Sequence, residues 1–146
     1  MEGKPMKSAV LAIVVAFLAG CAGSGVDAPK ISPAQAEHLI QTDSTLVILD
    51  VRTPEEFNGP LGHLGHAMLI PVQKLDERVG ELEPYRSRTI VVYCRTGHRG
   101  GRATALLKEK GFNALNIDGG ITRWDKEHLP VVMEVQDTST VNQPGG

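Results

Sequence analysis

"TIVVYCRTGHRGGRATALLKEKG", residues 89–111, decides the fold class. Its first five residues, Thr89 to Tyr93, form an apolar and largely β-branched run of strand length, the kind found in strands buried on both faces of a parallel sheet. One cysteine, Cys94, follows, then a basic glycine-rich loop, then "RATALLKEK" as a helix closed by lysines and Gly111. The same alternation extends to both sides. "TLVILDV" (45–51), "AMLIP" (67–71) and "ALNI" (114–117) read as further short strands. "SPAQAEHLIQ" (32–41) reads as a helix with Ser32 as N-cap, Pro33 at the first helical position and Gln35 completing a capping box. "TPEEF" repeats that grammar with Thr53, Pro54 and Glu56, "VQKLDERVGEL" (72–82) places Leu75, Val79 and Leu82 at helical spacing, and "GGITRWDKE" is a glycine turn into a last helix. The pattern predicts a single α/β domain with a largely parallel central sheet of about five strands, helices on both faces and right-handed crossovers.

The first twenty of the 146 residues have a different grammar. Lys4 and Lys7 precede an unbroken apolar run from Ala9 to Ala19, and small residues follow at once, as in a secretory signal. Such a run is too short to span a bilayer, which takes roughly 20 residues in a helix. It ends in "LAGC", Leu18 to Cys21, which resembles the bacterial lipobox. That resemblance implies cleavage before Cys21, acylation of Cys21 on sulfur and on the new amine, and a mature protein anchored by lipid in the bacterial cell envelope, facing the periplasm or the exterior. Residues 1–20 are then the signal peptide, 21–29 a Gly, Ala and Ser rich tether, 30–135 the domain and 136–146 a polar tail expected to be disordered.

Charge narrows the partners. Setting aside Glu2, Lys4 and Lys7 leaves 13 basic and 16 acidic side chains, so neither nucleic acid nor an anionic lipid surface is an expected partner of the domain. With Cys21 acylated, Cys94 is the only thiol left and has no partner for an internal disulfide.

In open α/β sheets ligands bind beyond the carboxyl ends of the strands, and Cys94 ends one. From Arg95 to Gly101 three glycines in seven residues let the backbone curl, with N–H groups facing inward as a nest for an anion. A helix starting near Gly101 adds its positive end, and Arg95, Arg99 and Arg102 bring three cations with no acid among them. All three features favour a negatively charged, nucleophilic sulfur, whereas an inert core cysteine belongs inside an apolar segment.

"CRTGHR" resembles the active-site loop of the rhodaneses, the single-domain sulfurtransferases. The resemblance extends in order through "LDVRTPEEF", "GPLGHLGHAMLIP" and "IDGGITRW", covering about residues 31–130. It implies a ping-pong reaction in which the Cys94 thiolate takes the outer sulfur of thiosulfate or a similar anionic donor and passes it to a thiol or cyanide, with no metal or organic cofactor. It further implies that Arg95, Thr96, Gly97, His98, Arg99 and Gly100 line the substrate, with Asp50, Arg52 and Arg102 in support. Cysteine phosphatases and arsenate reductases carry an arginine six positions after the cysteine to clamp a tetrahedral oxyanion, and here that position is Gly100. A second reading is a persulfide carrier or thiol sensor that serves a partner protein at the membrane.

Two roles stay open for Asp50 with Arg52: orienting the loop, or a local ion pair at a strand end. His98 has likewise either a substrate role or a solvent-facing one. His63 and His66 are only two of the three or four ligands a metal site needs, no nearby Cys or carboxylate cluster completes the set, and His63 matches the family's own histidine, so no metal is expected. His66 and Gly100 depart from the family pattern, in which Gly and Ser respectively are frequent. Trp124 and Ile121 are expected to pack the last helix onto the sheet.

Overall fold

The computed structural model describes residues 28–133, so the signal segment, Cys21 and the tail beyond Met133 lie outside it. Five parallel strands, β1 (Lys30–Ile31), β2 (Val47–Asp50), β3 (Met68–Leu69), β4 (Thr89–Tyr93) and β5 (Asn113–Ile117), form one sheet in the order β1-β5-β4-β2-β3. The chain thus fills both edges before laying β4 in the middle.

Burial follows the period of two. Val47 and Leu49 of β2, Ile90 and Val92 of β4 and Ala114 of β5 point to one face. They meet Leu75 of α3 (Leu75–Arg78), Leu82, and Ala103 and Leu107 of α4 (His98–Glu109). Ile48, Val91, Tyr93 and Ile117 point to the other, against Ala36 of α1 (Pro33–Thr42) and Ile121 and Trp124 of α5 (Gly120–Lys126). Trp124 and Ile121 therefore have the packing role expected of them, and the Trp124 indole N–H donates to the Pro130 carbonyl at 3.0 Å.

Both capping boxes form. Ser32 and Gln35 close the start of α1, and Thr53 and Glu56 close the start of α2 (Pro54–Phe57). Two segments differ from expectation. The helix over 72–82 is a single turn, α3, that tightens into a 3-10 segment over Val79–Tyr85, because Gly80 weakens the helix and Pro84 cannot donate within it. And α4 begins at His98 rather than near Gly101, so Arg99, Gly100 and Arg102 are helical residues.

Candidate active site

Register places the site. Asp50, the last residue of β2, is level with Tyr93, the last of β4, and the Val51 N–H donates to the Tyr93 carbonyl at 3.0 Å. The segment leaving β2 therefore runs beside Cys94. Gly97 reverses the chain with φ of 103°, a left-handed value that glycine adopts without strain, and becomes the N-cap of α4. That turn brings the Gly97 N–H to 3.0 Å from Cys94 Sγ.

The carbonyls around the sulfur are tied away from it. Ile121 N–H donates to the Cys94 carbonyl at 2.8 Å and Thr122 N–H to the Arg95 carbonyl at 3.0 Å, so the start of α5 holds the outer side of the loop. A side chain at Gly120 would strike both of those carbonyl oxygens. The Gly97 carbonyl accepts from Gly101 N–H at 2.9 Å and from Asn116 Nδ2 at 3.1 Å. With the negative ends of these dipoles fixed outward, the amide edge is what faces the thiol. The expected nest is thus smaller than the three glycines suggested. Gly97 alone makes the turn, while Gly100 serves close approach: a Cβ there would collide with Asn116 Oδ1.

Cys94 is buried, at 1% exposure, at the inner end of this turn. Arg95, Thr96, His98 and Arg102 are exposed. They divide between two clefts that flank the loop. One, of about 480 Å³, is lined by Thr96, His98, Arg102, Lys30 and Asn116. The other, of about 370 Å³, is lined by Arg95, Arg52, Glu56, Leu61 and Thr122. Cys94 lines neither, so the sulfur is shielded in this conformation.

Arg99 is half-buried and turned to Glu56. Its two terminal nitrogens donate to the two carboxylate oxygens at 2.6 and 2.7 Å. The guanidinium holds the Glu56 carboxyl down to about 2, well below its ordinary value, and Glu56 raises Arg99 in return. Glu56 was visible in the sequence only as a capping residue.

Beneath this pair lies a second. Asp50 and Arg52, 0% and 1% exposed, form an ion pair at 2.7 Å, and Arg52 also donates to the carbonyls of Glu56 at 3.0 Å and Gly62 at 2.8 Å. Neither is hydrogen-bonded to Cys94; they bind the β2–α2 and 59–63 segments into one block. The Tyr93 hydroxyl accepts from Leu64 N–H at 3.1 Å, and burial, with the Asp50 charge beside it, pushes the Tyr93 phenol upwards. The local ion pair of Asp50 and Arg52 is present, and Arg52 also holds the backbone of Glu56, whose side chain meets Arg99.

His63 is buried, stacks on Phe57 with ring centroids 3.8 Å apart, and bridges through its backbone to Val132. His66 is exposed with φ of 59°. Among the described residues no three His, Cys, Asp or Glu side chains gather as a metal site would require. Asn116 went unnoticed in the sequence, since one asparagine in a strand carries no signal of its own. It is 1% exposed, and its Oδ1 has no hydrogen-bond partner among the described residues.

A central parallel strand ending in a cysteine, a turn whose amide faces the sulfur and a helix that opens on that turn define a rhodanese-type site. The chain belongs to that family: the model of the Rhodanese-like domain matches residues 32–127. A sulfurtransferase of Allochromatium vinosum is 33% identical over 102 residues, which are 69% of this chain and 91% of that protein. The "Probable adenylyltransferase/sulfurtransferase MoeZ" of Mycobacterium tuberculosis is 34% identical over 101 residues, 68% of this chain, and the match spans only 25% of that longer protein. Among solved structures, a rhodanese-related protein from Thermoplasma volcanium is 32% identical and superposes with a TM-score of 0.65 over 73% of this chain and 99% of the other.

Proposed function

We propose that the chain is a sulfurtransferase that moves sulfane sulfur from thiosulfate or a similar anionic donor to a thiol or cyanide through a Cys94 persulfide. The Cys94 thiolate attacks the outer sulfur of the donor, the donor's S–S bond breaks, and sulfite leaves with the electron pair. The acceptor then attacks the outer sulfur of the persulfide and regenerates the Cys94 thiolate. The observation that carries this reading is the Gly97 N–H at 3.0 Å from Cys94 Sγ, with the carbonyls of Cys94, Arg95 and Gly97 bonded away from it. Fixed donors of this kind stabilise negative charge on a bound sulfur without reorganising during the reaction. Since Cys94 is shielded, loading requires a small opening of the segment around Arg95 to Arg99.

The initial-rate pattern tests the mechanism. Parallel double-reciprocal lines for donor and acceptor in the full-length protein, lost with Cys94→Ser while circular dichroism is unchanged, support it. Turnover in the Cys94→Ser variant overturns it.

We also propose that Cys21 carries the lipid anchor and that the domain works at the envelope surface; "LAGC" and the preceding apolar run support this reading. Among the described residues no helix is long and apolar enough to cross a membrane.

A further inference from the structure

The larger cleft, of about 480 Å³, lies between β1 and α4, and the edge of the sheet creates it. Lys30 of the two-residue β1 is the register partner of Asn116 in β5. Register partners in a ladder present their side chains to the same face. Asn116 faces the start of α4, where its Nδ2 bonds the Gly97 carbonyl, so Lys30 leaves the sheet on the α4 side. The opposing wall comes from the helix, on which His98, Arg102 and Ala105 follow one another at helical spacing.

Elsewhere on the surface cations meet acids, as Arg78 meets Glu81 and Arg86 meets Glu83. Lys30 and Arg102 have no carboxylate within ion-pair distance among the described residues. The one acid in the lining, Asp118, is engaged by Arg123 Nη1 at 2.6 Å. The cleft therefore offers an anion two permanent cations, the Thr96 hydroxyl and the His98 ring, although the domain as a whole is mildly acidic.

We propose that this cleft binds a phosphate ester. Polar groups brought from a strand, a loop and a helix suit a tetrahedral anion with several acceptor oxygens better than a planar carboxylate with two. Arg102 can donate through two parallel N–H groups, and Lys30 acts as a point charge. The volume exceeds what one such anion fills and falls in the range of small-molecule pockets, roughly 300–1,000 Å³. Ala28 and Ala105 supply apolar wall for the esterified group. Cys94 is not part of the lining, so the site is separate from the sulfur chemistry. A soluble phosphomonoester and a phospholipid headgroup share this chemistry. Residues 21–27, at most about 25 Å when extended, join Ala28 in the cleft wall to Cys21, so an acylated Cys21 would keep the cleft within reach of headgroups.

Titration of the full-length protein with glycerol 3-phosphate, followed by amide shifts in NMR, tests the site. Saturable binding with Kd of about 1 mM or tighter is expected, centred on Lys30, Thr96, His98 and Arg102. Inorganic sulfate, which lacks the esterified group, is expected to bind about fivefold more weakly or worse. Lys30→Gln and Arg102→Gln, both at exposed positions, should each weaken the ester by about fivefold or more, and Cys94→Ser should leave it unchanged. Vesicles of phosphatidylglycerol, added to the Cys21→Ala chain so that no anchor can hold them, separate the two sources. Displacement of glycerol 3-phosphate assigns the site to a lipid headgroup, and its retention assigns the site to a soluble ester. Absence of saturation by about 10 mM, sulfate binding as well as the ester, or both glutamine variants within about twofold of the unmodified protein overturns the proposal. Loss of binding in Cys94→Ser would place the anion at the thiol and overturn it as well. The sulfurtransferase reading is measured on Cys94 itself and stands or falls separately.

Discussion

The Gly97 amide donates to Cys94 Sγ across 3.0 Å, and only Arg95 and Thr96 lie between them in the chain. The short loop achieves this because the Gly97 carbonyl is pulled the other way, by Gly101 N–H within α4 and by Asn116 Nδ2 from β5. The turn that presents the sulfur is thus held by a strand that contributes nothing to the motif around the cysteine.

Gly100 and Asn116 should behave as a coupled pair. Gly100→Ser is expected to destabilise the domain by about 1–3 kcal/mol, since its Cβ runs into Asn116 Oδ1 in a packed site. Asn116→Ala alone is expected to cost about 1 kcal/mol for the bond to the Gly97 carbonyl. The double variant should recover part of the Gly100→Ser loss, because the obstruction is gone. Urea unfolding of the four proteins measures the coupling; strict additivity would show that the two residues do not share space.

Arg52→Ala should be the most damaging of these changes. It leaves Asp50 charged and buried and removes the donors to the Glu56 and Gly62 carbonyls. A loss of about 3–5 kcal/mol follows from breaking a buried pair, enough to lower Tm by more than about 12 °C in a domain of this size. A shift below about 4 °C would mean that water replaces the guanidinium.

Acid should reveal the Glu56–Arg99 pair. The Glu56 carboxyl sits at about 2 in the fold, below its ordinary value of 4.5, so the stabilisation it confers is complete above about 4.5 and is lost as pH falls through about 2. The difference in urea midpoint between the unmodified protein and Glu56→Gln should therefore be largest near neutrality and shrink over that window. A difference that is flat from neutrality to about pH 2.5 would contradict the pairing.

Cys21→Ala should release the protein from membranes, because the acyl chains are the anchor that the "LAGC" motif implies. Fractionation of cells that express the full-length chain measures this. An unchanged membrane fraction would remove the lipoprotein reading and leave the domain's chemistry untouched.

Four of the five strands and the two capping boxes were legible because each is local, whereas β1, two residues long, carries no apolar run of its own. Val47 to Asp50 and Ile90 to Tyr93 are continuous buried runs, and Ser32 with Gln35 and Thr53 with Glu56 are three residues apart. Cys94 could be located as a site because the run before it ends where Arg, Thr and Gly begin. The start of α4 could not be read. "RGG" has poor helix propensity, but the fit of Gly100 against Asn116 and the left-handed Gly97 outweigh it. Nor could the partner of Arg99, which is 43 residues away in the chain and already employed as a helix cap. Three arginines near a cysteine looked like three free charges; only the tertiary structure shows that one of them is matched.

Intact mass of the full-length protein after exposure to a sulfur donor, thiosulfate or 2-hydroxyethyl persulfide, tests the central claim most directly. The account predicts a gain of one sulfur atom that maps to Cys94, is removed by a small thiol and is absent in Cys94→Ser. A Cys94 that stays alkylatable and gains no sulfur from either donor would contradict it.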